Sequence, residues 1–346
     1  MSVINFQSDY LEGCHPEILE KLVETNFRQS SGYGNDEYSK DAILKIKAAC
    51  NKEDIDVHFL VGGTQANSII IASILRPHQG VVSAISGHIS TNEAGAIEAT
   101  GHKVLTLPSE DGKIRAEQVE ELYHAHWNSP IREAVVQPGM VYISNPTEMG
   151  TLYTKAELES LSKVCRELKL PLFLDGARLG YGLTSPYNDV TLKDIAHLCD
   201  VFYIGGTKCG ALFGEAVVIS SNPLKRDFRY IMKQRGGVLA KGRLLGIQFG
   251  TLFEDELYLK ICGSAVEYAL KLRQAFEEKG IELYGKSLAN QQFPILTNTQ
   301  MDVLRKNYGF EVWGKLDENY TITRFCTSWA TKLEDIEALI KDVKLL

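Results

Sequence analysis

No C-x-x-C pair occurs in this chain, although it carries seven cysteines. Cys14, Cys50, Cys165, Cys199, Cys209, Cys262 and Cys326 are scattered and odd in number. That pattern excludes a disulfide framework and reads as reduced thiols of a cytosolic protein, mostly core filler. Long apolar runs are missing as well: Ser68–Leu75 (SIIIASIL) is far too short to span a bilayer. The start, MSVINFQSDYLEG, has no basic segment followed by an apolar one, so no signal peptide is expected. Positive charge is not in excess. The 37 Lys and Arg stand against 44 Asp and Glu, for a net charge of −7 and a pI near 5.7. This balance argues against a general nucleic-acid binder, yet allows a local basic pocket for an anionic ligand. Neither G-x-G-x-x-G nor G-x-x-x-x-G-K-S/T appears, which makes a nucleotide-binding enzyme a remote reading. The nearest approach, GGTKCGA, has Ala211 where a phosphate loop needs its lysine. No internal repeat, low-complexity tract or long linker interrupts the chain.

What is present is an ordinary globular composition, 44% hydrophobic and 23% charged over 346 residues. That length suits one large α/β domain with a smaller companion. Short apolar runs alternate with helical patterns. Val57–Val61, Val81–Ile85, Lys103–Leu107, a stretch within Ala134–Ser144, Pro171–Asp175, Val201–Ile204 and Glu215–Ile219 read as strands. Gln65–Leu75, Thr91–Thr100, Ala116–His126 and Thr154–Leu168 read as helices. The last is the clearest, with Thr154 and Glu157 forming a capping box and Leu158, Leu161, Cys165 and Leu168 on one face. The rhythm predicts a mostly parallel seven-stranded sheet with helices on both faces. Near Gly250 the rhythm changes. A long helical stretch, Leu239–Lys279, leads to expected strands Phe293–Leu296 and Tyr320–Cys326 and a closing helix Glu334–Val343. The expected division is a large domain over 1–249 and a small α+β domain over 250–346, with the first residues packing on the small one.

The chemistry is concentrated between Phe173 and Gly214, which read FLDGARLGYGL and then DVFYIGGTKCGALFG. Asp175 closes one apolar run, Arg178 follows, and Lys208 sits in a Gly/Thr turn 33 residues after the Asp. Pyridoxal phosphate (PLP) enzymes need such parts in this order: a carboxylate for the pyridine nitrogen, then a lysine that holds the aldehyde as an imine. Small neighbours around Lys208 would let a planar cofactor approach, and a partly apolar, electropositive pocket would lower its pKa. Ligands of parallel sheets lie outside the carboxyl ends of the strands. Gly62–Thr64, Ser86–His88, Ser144–Asn145, Asp175–Arg178 and Thr207–Lys208 all fall there. Gly63 and Thr64 start a helix whose free N–H groups suit phosphate. His88 could stack on a ring or relay protons, and Arg178 offers a forked donor. Arg324, in TITRFC, shares a face with Ile322. Read singly, each has a plainer explanation: a surface lysine in a turn, a helix-capping Asp, a structural His, a solvent-facing Arg.

Taken together the chain resembles the threonine aldolase / β-eliminating lyase family, PLP enzymes of fold type I, and within it the low-specificity L-threonine aldolase group. QSDY, SGYGNDEYSK, VGGTQANSI, SGHISTNEAGA, SNPTEMG, FLDGARL and IGGTKCGALFG carry the likeness. The resemblance implies a fold type I, PLP-dependent transferase-like α/β fold. It implies Lys208 as the imine-forming lysine, Asp175 on the pyridine nitrogen, His88 stacked on the ring, and Gly63, Thr64 and Thr207 with the cofactor. Ser8, Arg178 and Arg324 would hold the substrate carboxylate, and Tyr33 would line the site, from its own or a neighbouring subunit. Two positions depart from the family. Where a proton-accepting His often stands, this chain has Thr147 and Glu148, so Glu148 joins His88 as a candidate base. Near Ala240, where the family usually has an Arg, Lys241 or Arg243 would have to substitute.

The implied reaction is aldol cleavage of L-threonine or L-allo-threonine to glycine and an aldehyde. The rivals are another PLP reaction, such as β-elimination or transamination, and a non-catalytic PLP-fold binding protein. A cytoplasmic homodimer or homotetramer with shared active sites, a small amino acid as substrate, and no metal, membrane or nucleic-acid partner complete the expectation.

Overall fold

The structure, a computed structural model, describes residues 3–346. Seven strands form the central sheet: β1 (Asp56–Leu60), β2 (Gln79–Ala84), β3 (Val104–Leu107), β4 (Gln137–Ser144), β5 (Leu172–Asp175), β6 (Val201–Gly205) and β7 (Glu215–Ile219). Their spatial order is β1-β7-β6-β5-β4-β2-β3. β7 runs antiparallel to both its neighbours, and the remaining pairs are parallel. Glu215, the first residue of β7, is therefore in register with Leu60 and Gly205, the last residues of β1 and β6.

Side chains alternate across the sheet as the pleat requires. Phe59, Val141, Ile143, Phe202 and Ile204 enter one core. Met140, Tyr142, Phe173, Val201 and Tyr203 enter the other, under helix Gly63–Ile74. Both faces are covered, which is why β4 to β7 read as almost unbroken apolar runs.

Helix Lys155–Leu168 begins as its sequence predicts: Glu157 N–H donates to Thr154 Oγ1 at 3.3 Å and Thr154 N–H to Glu157 Oε2 at 2.8 Å. Two expectations fail. Thr91–Thr100 is not one helix but a single turn, His88–Thr91, then a 3₁₀ turn at Glu98–Thr100. Ala94 and Gly95 between them take φ values of 50° and 75°, which break helical hydrogen bonding. The long stretch Leu239–Lys279 is two helices, Arg243–Leu252 and Leu257–Glu278. Asp255 and Glu256 at positive φ separate them. Helices Pro16–Thr25 and Glu37–Cys50 have no counterpart in the sequence reading.

Beyond β7, an antiparallel sheet joins Ile295–Thr297, Tyr320–Cys326 and Glu311–Lys315, with Gln291–Gln292 pairing at the end of the middle strand. Ile4–Asn5 pairs with Tyr308–Gly309, and Phe6 lies in the same apolar cluster as Leu296, Phe310 and Phe325. Helix Leu257–Glu278 belongs to both cores: Tyr258, Cys262 and Ala265 lie in the large one, Leu272, Ala275 and Phe276 in the small one.

Candidate active site

A cleft of about 560 Å³ opens where the carboxyl ends of the parallel strands meet the small sheet. Gly62–Thr64, His88, Glu148, Arg178, Thr207, Lys208 and Arg324 all line it, together with Tyr10, Tyr203, Glu215, Glu311 and Trp313. One sheet edge and two strands of the smaller sheet thus bring together residues drawn from almost the whole chain.

Asp175 supports the floor from behind Tyr203 and Ala177, which line the cleft. It ends β5 and is buried, 4% exposed. Its Oδ1 accepts from Tyr203 Oη at 2.5 Å and from Ala177 N–H at 3.0 Å. Its Oδ2 accepts from Tyr142 Oη at 2.6 Å and from Asn67 Nδ2 at 3.1 Å. Four donors fix the plane of one carboxylate. The residue after it must be Gly, because a Cβ on Gly176 would stand 2.0 Å from the Tyr203 carbonyl oxygen. The D-G pair is thus a packing necessity at the crossing of β5 and β6.

Lys208 follows β6 in a turn held by Tyr181 Oη, which donates to the Lys208 carbonyl at 2.5 Å. Among the described residues its amine has no hydrogen bond or ion pair. Burial lowers its pKa first, and the Arg178 charge lowers it further, against the pull of Asp9, Asp175 and Glu215. That is the direction a nucleophilic amine needs. Glu215 stands beside this turn. Its carboxylate accepts from Thr207 Oγ1 at 2.8 Å and Gly206 N–H at 3.2 Å, and burial raises its pKa. Thr207 is thereby committed to Glu215, while Gly214 N–H donates to its hydroxyl at 3.0 Å.

At the end of β1, helix Gly63–Ile74 starts from Gly62 with no side-chain cap. Its first N–H groups have no partner within the helix and point out of its N-terminus. A Cβ on Gly63 would meet Tyr203 Oη at 3.0 Å. At the end of β2, His88 N–H donates to Glu148 Oε1 at 2.9 Å. Burial lowers the His88 pKa, and the Lys208 and Arg178 charges lower it further, against Asp175. Neutral imidazole is favoured.

Glu148 occupies the loop after β4. Oε1 also accepts from Ser144 Oγ at 2.7 Å, whereas Oε2 is buried without a partner. Burial pushes this carboxyl up to about 7. Glu93 behaves similarly: burial raises it to about 7, and its Oε1 accepts from Asn67 Nδ2 at 2.9 Å.

Arg178 does not face the cleft as an open fork. Its Nε and one terminal nitrogen bind Asp9 at 2.7 and 3.0 Å, and Asn290 Nδ2 also reaches Asp9 at 2.9 Å. Burial works to raise the Asp9 carboxyl, but the Arg178 and Lys208 charges outweigh it and hold it below its ordinary range. Ser8, also buried, precedes Asp9 but is not part of the lining. Arg324, 8% exposed, forms an ion pair with Glu311 and lies 5.0 Å from the Trp313 ring centroid. Tyr33 lies outside the cleft of its own chain; it lines a separate depression with Arg229.

The sequence reading missed Asp9, Asn67, Glu93, Tyr142, Tyr203 and Glu215. The two tyrosines could have been found: a Tyr near the end of a buried strand needs a partner for its hydroxyl, and Asp175 was the carboxylate nearest in register. Asp9 stood inside QSDY. Glu215 was hidden by the reversed direction of β7, which periodicity does not report.

An open αβ edge whose cleft holds a lysine amine, with an Asp carboxylate acting on its charge, places the molecule among the fold type I PLP enzymes, and the aspartate aminotransferase of Thermus thermophilus shares this fold (TM-score 0.71, 13% identity, covering 99% of this chain and 91–92% of the solved chains). The chain belongs to the beta-eliminating lyase family, whose sequence pattern matches residues 5–300. It is 30% identical to the low specificity L-threonine aldolase of Pseudomonas sp. (strain NCIMB 10558), covering 98% of this chain and 96% of the relative. A solved threonine aldolase from Leishmania major superposes with a TM-score of 0.96 at 45% identity, covering 99% of both chains.

Proposed function

We propose that this protein is a PLP-dependent aldolase that cleaves L-threonine and L-allo-threonine to glycine and acetaldehyde. The observation that carries the reading is the Lys208 amine, unpaired among the described residues, in a cleft backed by the four-donor Asp175 carboxylate, which lies behind the lining residues Tyr203 and Ala177. The residues fit PLP: Lys208 for its aldehyde, Asp175 for its ring nitrogen, the Gly63–Thr64 helix start for its phosphate and His88 for its ring face. Glu148 lines the same cleft, and its Oε2 is a polar atom left without a partner among the described residues, as suits a site that takes a polar ligand. Bound PLP supplies the electron sink for the carbanion left at Cα when the Cα–Cβ bond breaks.

The chain supplies orientation and proton transfer. Arg324, with Arg178 steadied by Asp9, holds the substrate carboxylate and so directs which bond at Cα breaks. Glu148 Oε2 accepts the β-hydroxyl proton, leaving the Cβ–O bond to become the aldehyde carbonyl. Its Oε1 is already anchored by His88 N–H and Ser144, so Oε2 is the oxygen left to take a proton. Neutral His88 would lie against the cofactor ring without competing for the proton.

We place the protein in the cytoplasm as a homodimer or homotetramer whose sites are completed across subunits. Seven unpaired cysteines support the compartment. Support for assembly comes from exposed Val23, Phe27 and Tyr230, 70%, 95% and 77% exposed, and from Tyr33 lying outside its own cleft.

The test is incubation of the PLP-loaded protein with threonine and allo-threonine. Glycine and acetaldehyde in equal amounts are expected. A keto acid with ammonia as the only products would overturn the reading in favour of elimination, and no turnover of either substrate would overturn it altogether.

A further inference from the structure

Glu148 lines the cleft, Asp175 lies behind the lining residues Tyr203 and Ala177, and two hydroxyls connect the two carboxylates. Tyr142 Oη is 2.6 Å from Asp175 Oδ2. Ser144 Oγ is 3.3 Å from Tyr142 Oη and 2.7 Å from Glu148 Oε1. The arrangement follows from strand geometry. Tyr142 and Ser144 are two apart on β4 and face the same way, and Ser144 is in register with Asp175 on β5. Tyr142, Ser144 and Asp175 are all buried, so water does not compete for these bonds.

Counting protons gives the chain a direction. Tyr142 has one hydroxyl proton, committed to Asp175. Ser144 also has one, but two acceptors within reach. When Glu148 is ionised it can only accept, and Ser144 must donate to it; the Tyr142 oxygen then receives nothing. When Oε2 carries a proton, Oε1 becomes a neutral carbonyl oxygen and a weaker acceptor, which frees the Ser144 proton to turn to Tyr142. A Tyr142 hydroxyl that accepts a bond donates a stronger one, because such chains polarise cooperatively.

We propose that Ser144 and Tyr142 are positioning residues that couple Glu148 to Asp175, the Ser144 hydroxyl turning its donation from Glu148 to Tyr142 when Glu148 gains a proton and back when it loses it. The coupling rests on the reading of Glu148 as proton acceptor and Asp175 as partner of the ring nitrogen. No net charge leaves either carboxylate through the chain; only the direction of donation changes. Its sense is useful. Ionised Glu148, the form that can take a hydroxyl proton, draws Ser144 away, weakens the Tyr142 bond and leaves the Asp175 Oδ2 lone pairs freer for a ring nitrogen. The state competent to accept the proton is thus also the state that best keeps the ring protonated. Burial places the Glu148 carboxyl at about 7, so both states are populated near neutrality.

Other groups face the same two carboxylates. Tyr203, Asn67 and Ala177 N–H hold Asp175, with Glu93 behind Asn67, and His88 N–H holds Glu148. The charges of Lys208 and Arg178 face His88, and Glu215 faces Lys208. None of them bridges Glu148 to Asp175 by hydrogen bonds as Ser144 and Tyr142 do.

The experiment follows the ring-nitrogen ¹⁵N shift of the holoenzyme, loaded with ring-labelled PLP, against pH. In the wild type the signal moves through the neutral range. Ser144→Ala and Tyr142→Phe, with cofactor still bound, flatten that movement, and Ser144→Thr restores it. The Glu148 midpoint in kcat/KM rises by about one pH unit in Ser144→Ala, since the ionised form loses a donor. A wild-type signal that ignores pH, or a Ser144→Ala signal that follows pH as the wild type does, overturns the coupling. Glu148→Gln separates this from the functional reading. Full cleavage by that variant removes Glu148 as proton acceptor, whereas the ¹⁵N response of the serine variants judges the coupling independently.

Discussion

The floor and the outer wall of the cleft are built on opposite plans. On the floor, Asp175 takes four hydrogen bonds from groups on β4, on β6, on the Gly63–Ile74 helix and in its own turn. All of these donors but Ala177 belong to buried residues. On the wall, Arg324 has one carboxylate partner, Glu311, whose side chain is 45% exposed, and its own Nε is buried without an acceptor. A satisfied buried network costs much to disturb, because each lost partner leaves a polar group stranded. A half-exposed ion pair contributes little and exchanges readily. The floor is preorganised for a resident group, and the wall is left open to a carboxylate that comes and goes. Rate should therefore reside in the floor and affinity in the wall.

The largest effect that would test this division lies at Lys208. Lys208→Ala should lower kcat by more than about a thousandfold, and borohydride should leave no cofactor adduct on the 208 peptide. Wild-type turnover in that variant would remove the floor from the chemistry. Next comes Glu148, between floor and wall. Acceptance of a proton requires its ionised form, so kcat/KM should climb as pH rises through about 7 and then level. Glu148→Gln should lose that limb and roughly a hundredfold or more in kcat. A preserved limb would assign the ionisation to another group. Burial also has a stability consequence of fixed sign. The folded carboxyl holds its proton up to about 7, the free one only to 4.5, so ionised Glu148 costs the fold increasingly across that window. The cofactor-free Glu148→Gln protein should therefore gain in melting temperature over the wild type as pH rises from 4.5 toward 7.

The two regions also differ in how far the sequence revealed them. The floor's principal residues were legible because strand ends are legible: Asp175 and Lys208 each close or follow an apolar run, and a parallel sheet must gather such ends on one edge. Its supporting hydroxyls were not, because Tyr142 and Tyr203 look like core residues until register sets them beside Asp175. Glu215 escaped because strand direction leaves no mark on apolar periodicity. The wall was less legible still. Arg324 could be placed on a strand, but its pairing with Glu311 and Trp313 depends on the register of Glu311–Lys315 with Tyr320–Cys326, which carries a bulge between Val312 and Gly314. The Arg178–Asp9 pair joins residues 169 positions apart, a separation no local pattern reports. The helix expected over Thr91–Thr100 failed for a local reason: the left-handed Ala94–Gly95 step breaks a segment whose Glu and Ala residues are interrupted by Gly95 itself and flanked by Thr and Asn.

The smallest expected effect is the most discriminating for the wall. Glu311 is a carboxylate resting on the arginine that would hold the carboxylate of the substrate. If the pair is exchangeable, Glu311→Gln removes a competitor, and KM for threonine should fall about two- to fivefold with kcat unchanged, in line with the small worth of exposed pairs. Raising the ionic strength should narrow the difference, since salt screens the wild-type pair first. If Glu311 instead aims the guanidinium, the same substitution should raise KM, and the wall would be as preorganised as the floor. The sign of one KM change thus decides between an open clamp and a fixed one.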